Sequence, residues 1–217
     1  MNNKIQNHWD TVYKNKNPSQ VSWTQDVPKT SLDFIASFGV SKSAKIIDVG
    51  GGDSKLVDYL LDDGFENITV LDISALALEK AKKRLGEKAQ KINWIVGDIT
   101  EFQTDTIFDI WHDRATFHFL TTSKEITKYL NIARNNVSGF LTIGTFSENG
   151  PAKCSGLTIK QYSEENLTNE LKDGFYKIKC VSEDHLTPLE TTQNFLFCSF
   201  KRTQNGESIE AKIQNKF

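Results

Sequence analysis

Asp48-Val49-Gly50-Gly51-Gly52-Asp53-Ser54 holds the densest chemistry of the chain. An acid followed by a run of glycines makes a turn in which a nucleotide can lie against bare backbone, where any Cβ would collide. Asp72, followed by Ile73, closes the next apolar run. A carboxylate there accepts hydrogen bonds from both ribose hydroxyls of an adenosine. In Val96-Gly97-Asp98-Ile99 the acid is placed to accept from an adenine amino group while Ile99 packs on the ring. Glycines alone would fit an ordinary tight turn; glycines followed by acids at two further strand ends fit a nucleoside site. A dinucleotide fingerprint needs Gly-x-Gly-x-x-Gly, but here the glycines run on into Asp53, Ser54 and Lys55. There is also no Gly-Lys-Ser/Thr phosphate loop. An acid before the glycines, with none of the usual phosphate donors, suits an uncharged adenosine carrying a cationic sulfonium.

The second informative segment is Phe108-Asp109-Ile110-Trp111-His112-Asp113-Arg114-Ala115-Thr116-Phe117-His118. His112 has the chemistry of a general base near neutral pH. Asp113 suits a bond to an amino group, and Arg114 suits a bidentate grip on a carboxylate. An Asp113–Arg114 structural pair is the competing reading, and His118 reads as a cap or core residue. No proline follows the strand, so there is no Asn/Asp-Pro-Pro-aromatic run to stack a flipped base. No cysteine is near to serve cytosine C5 chemistry. Cys154, in the turn-rich loop after Phe146, reads first as an ordinary loop cysteine and second as a contact for a soft substrate atom.

Alternating elements must position these residues. Strands are predicted at Lys45–Val49, Asn67–Asp72, Ile92–Val96, Phe108–Trp111 and Phe140–Phe146. Helices are predicted between them from Ser54 to Leu61, from a cap at Ser74 through Leu85, and from Lys124 to Asn135. Strand, helix and short link in turn predict a parallel sheet with right-handed crossovers. After Gly150 the pattern changes to a helix from about Ser163 to Leu171, then strands Tyr176–Val181 and Phe195–Phe200 with no helix between. Strands joined by a loop alone are antiparallel neighbours. The expected fold is α/β, with the substrate site beyond the carboxyl ends of the strands.

The glycine turn and the two later acids, in this order and spacing, resemble the class I S-adenosylmethionine-dependent methyltransferases over residues 40 to 200. The resemblance implies a Rossmann-like sheet of seven strands in order 3-2-1-4-5-7-6 with the last antiparallel, and helices on both faces. It implies S-adenosyl-L-methionine as cofactor, held by Trp23, Asp48, Gly50, Gly51, Gly52, Asp72, Ile73, Asp98 and Ile99. It implies His112, Asp113 and Arg114 beside the transferring methyl group. Asp113-Arg114-Ala115-Thr116 is also similar to the Asp-Lys-Gly-Thr signature of the methyltransferase-like lysine methyltransferases. Trp9, Tyr13 and Trp23 resemble the aromatic segment that caps the cofactor there. Expected acceptors are a small molecule first and a protein lysine second. A non-catalytic adenosine-binding scaffold and an NAD-dependent enzyme are the rivals.

Length and composition agree. A chain of 217 residues fits one core. Residues 1–30 read as an aromatic cap, 31–202 as the methyltransferase domain and 203–217 as a polar tail. A net charge of −2 gives no basic footprint for nucleic acid. No apolar stretch reaches membrane-spanning length and no apolar leader precedes the first charges. Three cysteines without metal-ligand spacing predict no metal site, free thiols and a cytoplasmic protein.

Overall fold

The computed structural model describes residues 3–203. Helices are α1 (Asn3–Asn15), α2 (Lys29–Ser37), α3 (Leu56–Asp62), α4 (Ala75–Leu85), α5 (Ser123–Asn136) and α6 (Glu164–Leu171). Strands are β1 (Lys45–Val49), β2 (Asn67–Asp72), β3 (Ile92–Val96), β4 (Phe108–Arg114), β5 (Val137–Phe146), β6 (Lys153–Cys154), β7 (Leu157–Thr158), β8 (Phe175–Leu186) and β9 (Thr192–Arg202). Seven strands form one sheet in the order β3-β2-β1-β4-β5-β9-β8, while β6 and β7 make a small separate hairpin. Strands β1 to β5 are parallel and β9 runs antiparallel to both of its neighbours. That is the sheet expected from the sequence.

The elements start where local chemistry starts them. Ser74 accepts from the Ala77 N–H at the head of α4, and Thr122 with Glu125 forms a reciprocal capping box on α5. Alternation along the strands then sends side chains to two helical layers. Ile46, Ile68, Val70 and Ile110 pack with α2, α3 and α4. Ile47, Val49, Leu71 and Trp111 pack with α5 and α6. A third cluster, built from Phe34, Phe146, Phe195 and Phe197, closes the β9 side.

Three expectations are corrected. Cys180 and Cys198 are not free thiols: they oppose each other across β8 and β9 and are joined by a disulfide, with Cα atoms 4.1 Å apart. Antiparallel pairing set this proximity, and it depends on a register that the sequence alone leaves open. The stretch Ser182–Asn194 is mostly strand rather than link, because the hairpin continues to a tight turn at 187–191 closed by Thr187 N–H to the Thr191 carbonyl at 2.8 Å. Strand β4 runs on to Arg114 rather than ending at Trp111. The tail from 204 onward lies outside the described residues. Among those described, no helix is long and apolar enough to cross a membrane.

Candidate functional site

A cavity of about 800 Å³ opens at the carboxyl ends of β1 to β4, large enough for a nucleoside and a second small group. Its floor begins with the glycine turn, where the N–H groups of Gly50 and Gly51 donate to the Leu71 carbonyl and so tie the turn to β2. Gly50 has φ +66°, and a Cβ there would overlap the Thr116 hydroxyl. A Cβ on Gly51 would meet Asp48 Oδ2 at 2.6 Å and Val70 at 2.7 Å. Gly52 faces the roof instead: it is not part of the lining, and a Cβ on it would strike the Tyr13 hydroxyl. Arg84, from the last turn of α4, clasps the outer side of the turn by donating to the Asp53 and Ser54 carbonyls at 2.6 and 2.8 Å.

Acids surround this floor. Asp72 is buried and accepts from the Ser74 N–H at 2.7 Å. Burial raises its carboxyl to about 7, against the lowering effect of the Ser74 and Gly52 N–H groups. Burial likewise raises Asp53. Asp98 lines the cavity and commits Oδ1 to the backbone and hydroxyl of Thr100. Ile73 and Ile99 complete the apolar wall beside these acids.

The last residues of β4 divide between two faces. His112 and Arg114 line the cavity, whereas Asp113 points to the opposite layer and is fully buried. Asp113 accepts from the Tyr129 hydroxyl at 2.8 Å and from the N–H groups of Thr116 and Phe117. Its carboxyl is therefore spent on holding the β4 loop in place. Both ring nitrogens of His112 are also engaged, Nδ1 with Asp48 at 2.7 Å and Nε2 with Ser31 at 2.8 Å. With Asp48 ionised, Nδ1–H donates to it and the Ser31 hydroxyl donates to Nε2. His118 is core, its pKa lowered to about 3 by burial and the nearby Arg114 charge. Cys154 stands in the cavity wall as a thiol raised by burial to about 11, so it is protonated at neutral pH.

Residues from α1 and the strap at 18–27 roof the cavity. Trp9, Tyr13, Trp23 and Phe119 form an aromatic group with ring centroids 5.2–6.4 Å apart. The Ser74 hydroxyl donates to Asp10 at 2.6 Å, and Lys80 donates to the Lys16 carbonyl at 2.9 Å, which fixes α1 on α4.

Ala115 holds φ +67°, a left-handed backbone that L side chains rarely take. Glycine occupies this place in the Asp-Lys-Gly-Thr pattern, and the backbone here explains that choice. Ala115→Gly is expected to stabilise the fold by up to about 1 kcal/mol, the left-handed strain outweighing glycine's larger unfolded-state entropy. A denaturant midpoint that rises supports this; one that falls means the lost methyl packing dominates.

A family model described as a methyltransferase domain matches residues 46–137, the segment from β1 to the start of β5 that carries the glycine turn and all three acids. That segment is similar to the methyltransferase domain in sequence as well as in fold. Over 125 residues, 55% of its length, the chain is 34% identical to the malonyl-[acyl-carrier protein] O-methyltransferase of Anoxybacillus flavithermus, covering 47% of that protein. It is 22% identical over 119 residues to the eEF1A lysine and N-terminal methyltransferase of Mus musculus, covering 17% of it. The chain thus spans less than two thirds of either relative. Among solved structures, the 1,6-didemethyltoxoflavin-N1-methyltransferase of Burkholderia thailandensis, with S-adenosylhomocysteine bound, superposes with a TM-score of 0.66 at 18% identity over 93% of this chain and 86% of that one. At that identity the likeness speaks for the methyltransferase fold.

Several neighbours of these residues were invisible to sequence reasoning. Ser31, the second partner of His112, sits 81 positions away on α2. Arg84 looks like any helix-end cation until its two carbonyl bonds are seen. Thr116 was legible only as part of a motif, and its packing against Gly50 is what makes the glycine obligatory.

Proposed function

We propose that the protein transfers a methyl group from S-adenosyl-L-methionine to a small-molecule acceptor. The observation that carries this is the floor of the cavity: a glycine turn with no room for side chains, ringed by the buried carboxyls of Asp48 and Asp72 and the half-buried one of Asp53. A cluster of desolvated carboxyls fits a ligand rich in hydroxyl donors and positive charge, and it repels phosphates. The cofactor supplies an electrophilic methyl on a sulfonium.

The chain's own residues supply the setting. Asp72 accepts from the ribose hydroxyls, Asp98 with Ile99 holds the adenine, and Trp23 covers the far side. His112 keeps Asp48 oriented through Nδ1 while Ser31 occupies Nε2, which suits a positioning role better than proton abstraction. Asp113 holds the loop that bears Arg114, Ala115 and Thr116. Displacement at a methyl group asks mainly for alignment and exclusion of water, and the aromatic roof supplies the exclusion. A small acceptor is favoured because the roof and the loops at 119–122 and 154–158 enclose the remaining space. The protein-lysine alternative draws on the Asp-Arg-Ala-Thr run and on the lysine-methylating relative.

Incubating the protein with methyl-labelled S-adenosylmethionine and an extract of the source cells tests this. Label is expected in the small-molecule fraction. Label in protein would replace the reading by the lysine one, and cofactor binding without any transfer would leave a scaffold.

A further inference from the structure

Arg114 leaves β4 on the same face as His112 and runs beneath the strap, its guanidinium centred 4.7 Å from the Phe195 ring. Nη1 donates to the Trp23 carbonyl at 2.9 Å. Nε and Nη2 are buried and have no partner. These two nitrogens form one edge of the guanidinium, the edge that grips a carboxylate through two parallel hydrogen bonds.

The groups facing this edge do not neutralise it. Glu183, on β8, is the carboxylate that bears most on Arg114. Its Oε1 accepts from Gln25 at 3.1 Å and its Oε2 has no partner. Among the described residues no ion pair within 4 Å involves Arg114. The Cys154 thiol is protonated at neutral pH, and burial lowers both His118 and His185, so none of the three adds an opposite charge. Burial lowers Arg114 only to about 10, which leaves it cationic at neutral pH. A buried cation with at least three of its five N–H donors idle is costly unless something completes it.

We infer that Arg114 is the acceptor-recognition residue, and that the acceptor presents a carboxylate, or an equivalent planar oxyanion, which Nε and Nη2 take side-on beneath residues 22–25. This deepens the methyltransferase reading and rests on it. Trp23 holds the third nitrogen, so the strap and the guanidinium are positioned together. The edge is covered in the structure, and the acceptor reaches it when the strap lifts or the guanidinium turns toward the cavity that Arg114 lines.

The test uses the whole chain saturated with S-adenosylhomocysteine and titrated with malonate, acetate and butyrate, with acetamide, butyramide and sodium chloride of equal ionic strength as controls. The carboxylates are expected to raise the melting temperature and the controls are not. Arg114→Gln is expected to weaken carboxylate binding at least tenfold while the dissociation constant for S-adenosylhomocysteine stays within about twofold. Glu183→Gln, which removes the competing charge, is expected to bind carboxylates as well as the native protein or better. Equal responses to acids and amides, no response to any acid, or a response that survives Arg114→Gln overturns the inference. So does equal destabilisation by Arg114→Gln and Glu183→Gln with no carboxylate response, which would make the two a structural pair. If S-adenosylhomocysteine itself fails to bind, the cofactor reading fails instead, and the two failures are told apart in one experiment.

Discussion

Replacing Asp72 by alanine is expected to raise the dissociation constant for S-adenosylmethionine about 5- to 150-fold, the loss of one buried carboxylate's bonds to donor groups at about 1–3 kcal/mol. The unliganded fold should survive, because the residue removed is a desolvated acid whose carboxyl burial pushes up to about 7. What the fold loses is the carboxyl's bonds to the Ser74 and Gly52 N–H groups. Binding and stability therefore part company, and calorimetry beside a thermal melt checks both. The same carboxyl sets a pH dependence. Unfolded, an aspartate ionises near pH 4, so between about pH 4 and 7 the native state binds the extra proton and the unliganded protein loses stability as pH rises through that window. Asp113, raised by burial to about 6, acts in the same direction. In its proposed role as acceptor for the ribose hydroxyls Asp72 must be ionised, so cofactor affinity should move the opposite way. It falls by up to tenfold per unit as pH drops below about 7, and proton release is measurable in buffers of differing ionisation enthalpy. A flat affinity from pH 5.5 to 8 would take Asp72 out of the ribose contact.

Gly50→Ala is the second large effect. Its backbone is left-handed at φ +66° and the new methyl would overlap the Thr116 hydroxyl. Both backbones are tied, Gly50 N–H to the Leu71 carbonyl and Thr116 N–H to Asp113, so relief falls to the Thr116 hydroxyl, which must leave its 3.3 Å bond to the Val49 carbonyl. The left-handed backbone alone costs about 1–2 kcal/mol with a side chain. Overlap with Thr116 adds to it, so the turn must shift and cofactor affinity is expected to fall more than a hundredfold. Adding Thr116→Ala removes the nearest atom but leaves the Thr116 Cβ at 2.9 Å and the strained φ, so rescue should be partial. Native affinity in Gly50→Ala would show that the turn does not need this course.

These two sites were legible in the sequence because their chemistry is local. A strand, its glycine turn and the acid ending the next strand lie on consecutive elements, and parallel register brings strand ends together without further information. The last three residues of β4 were legible only in part. Ending that strand at Trp111 leaves the next three residues as a loop with free directions. Running it to Arg114 imposes alternation, which sends His112 and Arg114 to the cavity and Asp113 to the α5 layer. The partners of His112, the disulfide between Cys180 and Cys198, and the unpaired edge of Arg114 join residues far apart in the chain, and nothing in local periodicity encodes them.

The fully buried Asp113 fixes the loop after β4 from below, through bonds to its backbone rather than to its side chains. Outward-facing residues of that loop are thus free to vary while its path stays put. Exchanging those side chains would change the lining of the cavity while the backbone beneath it keeps its course.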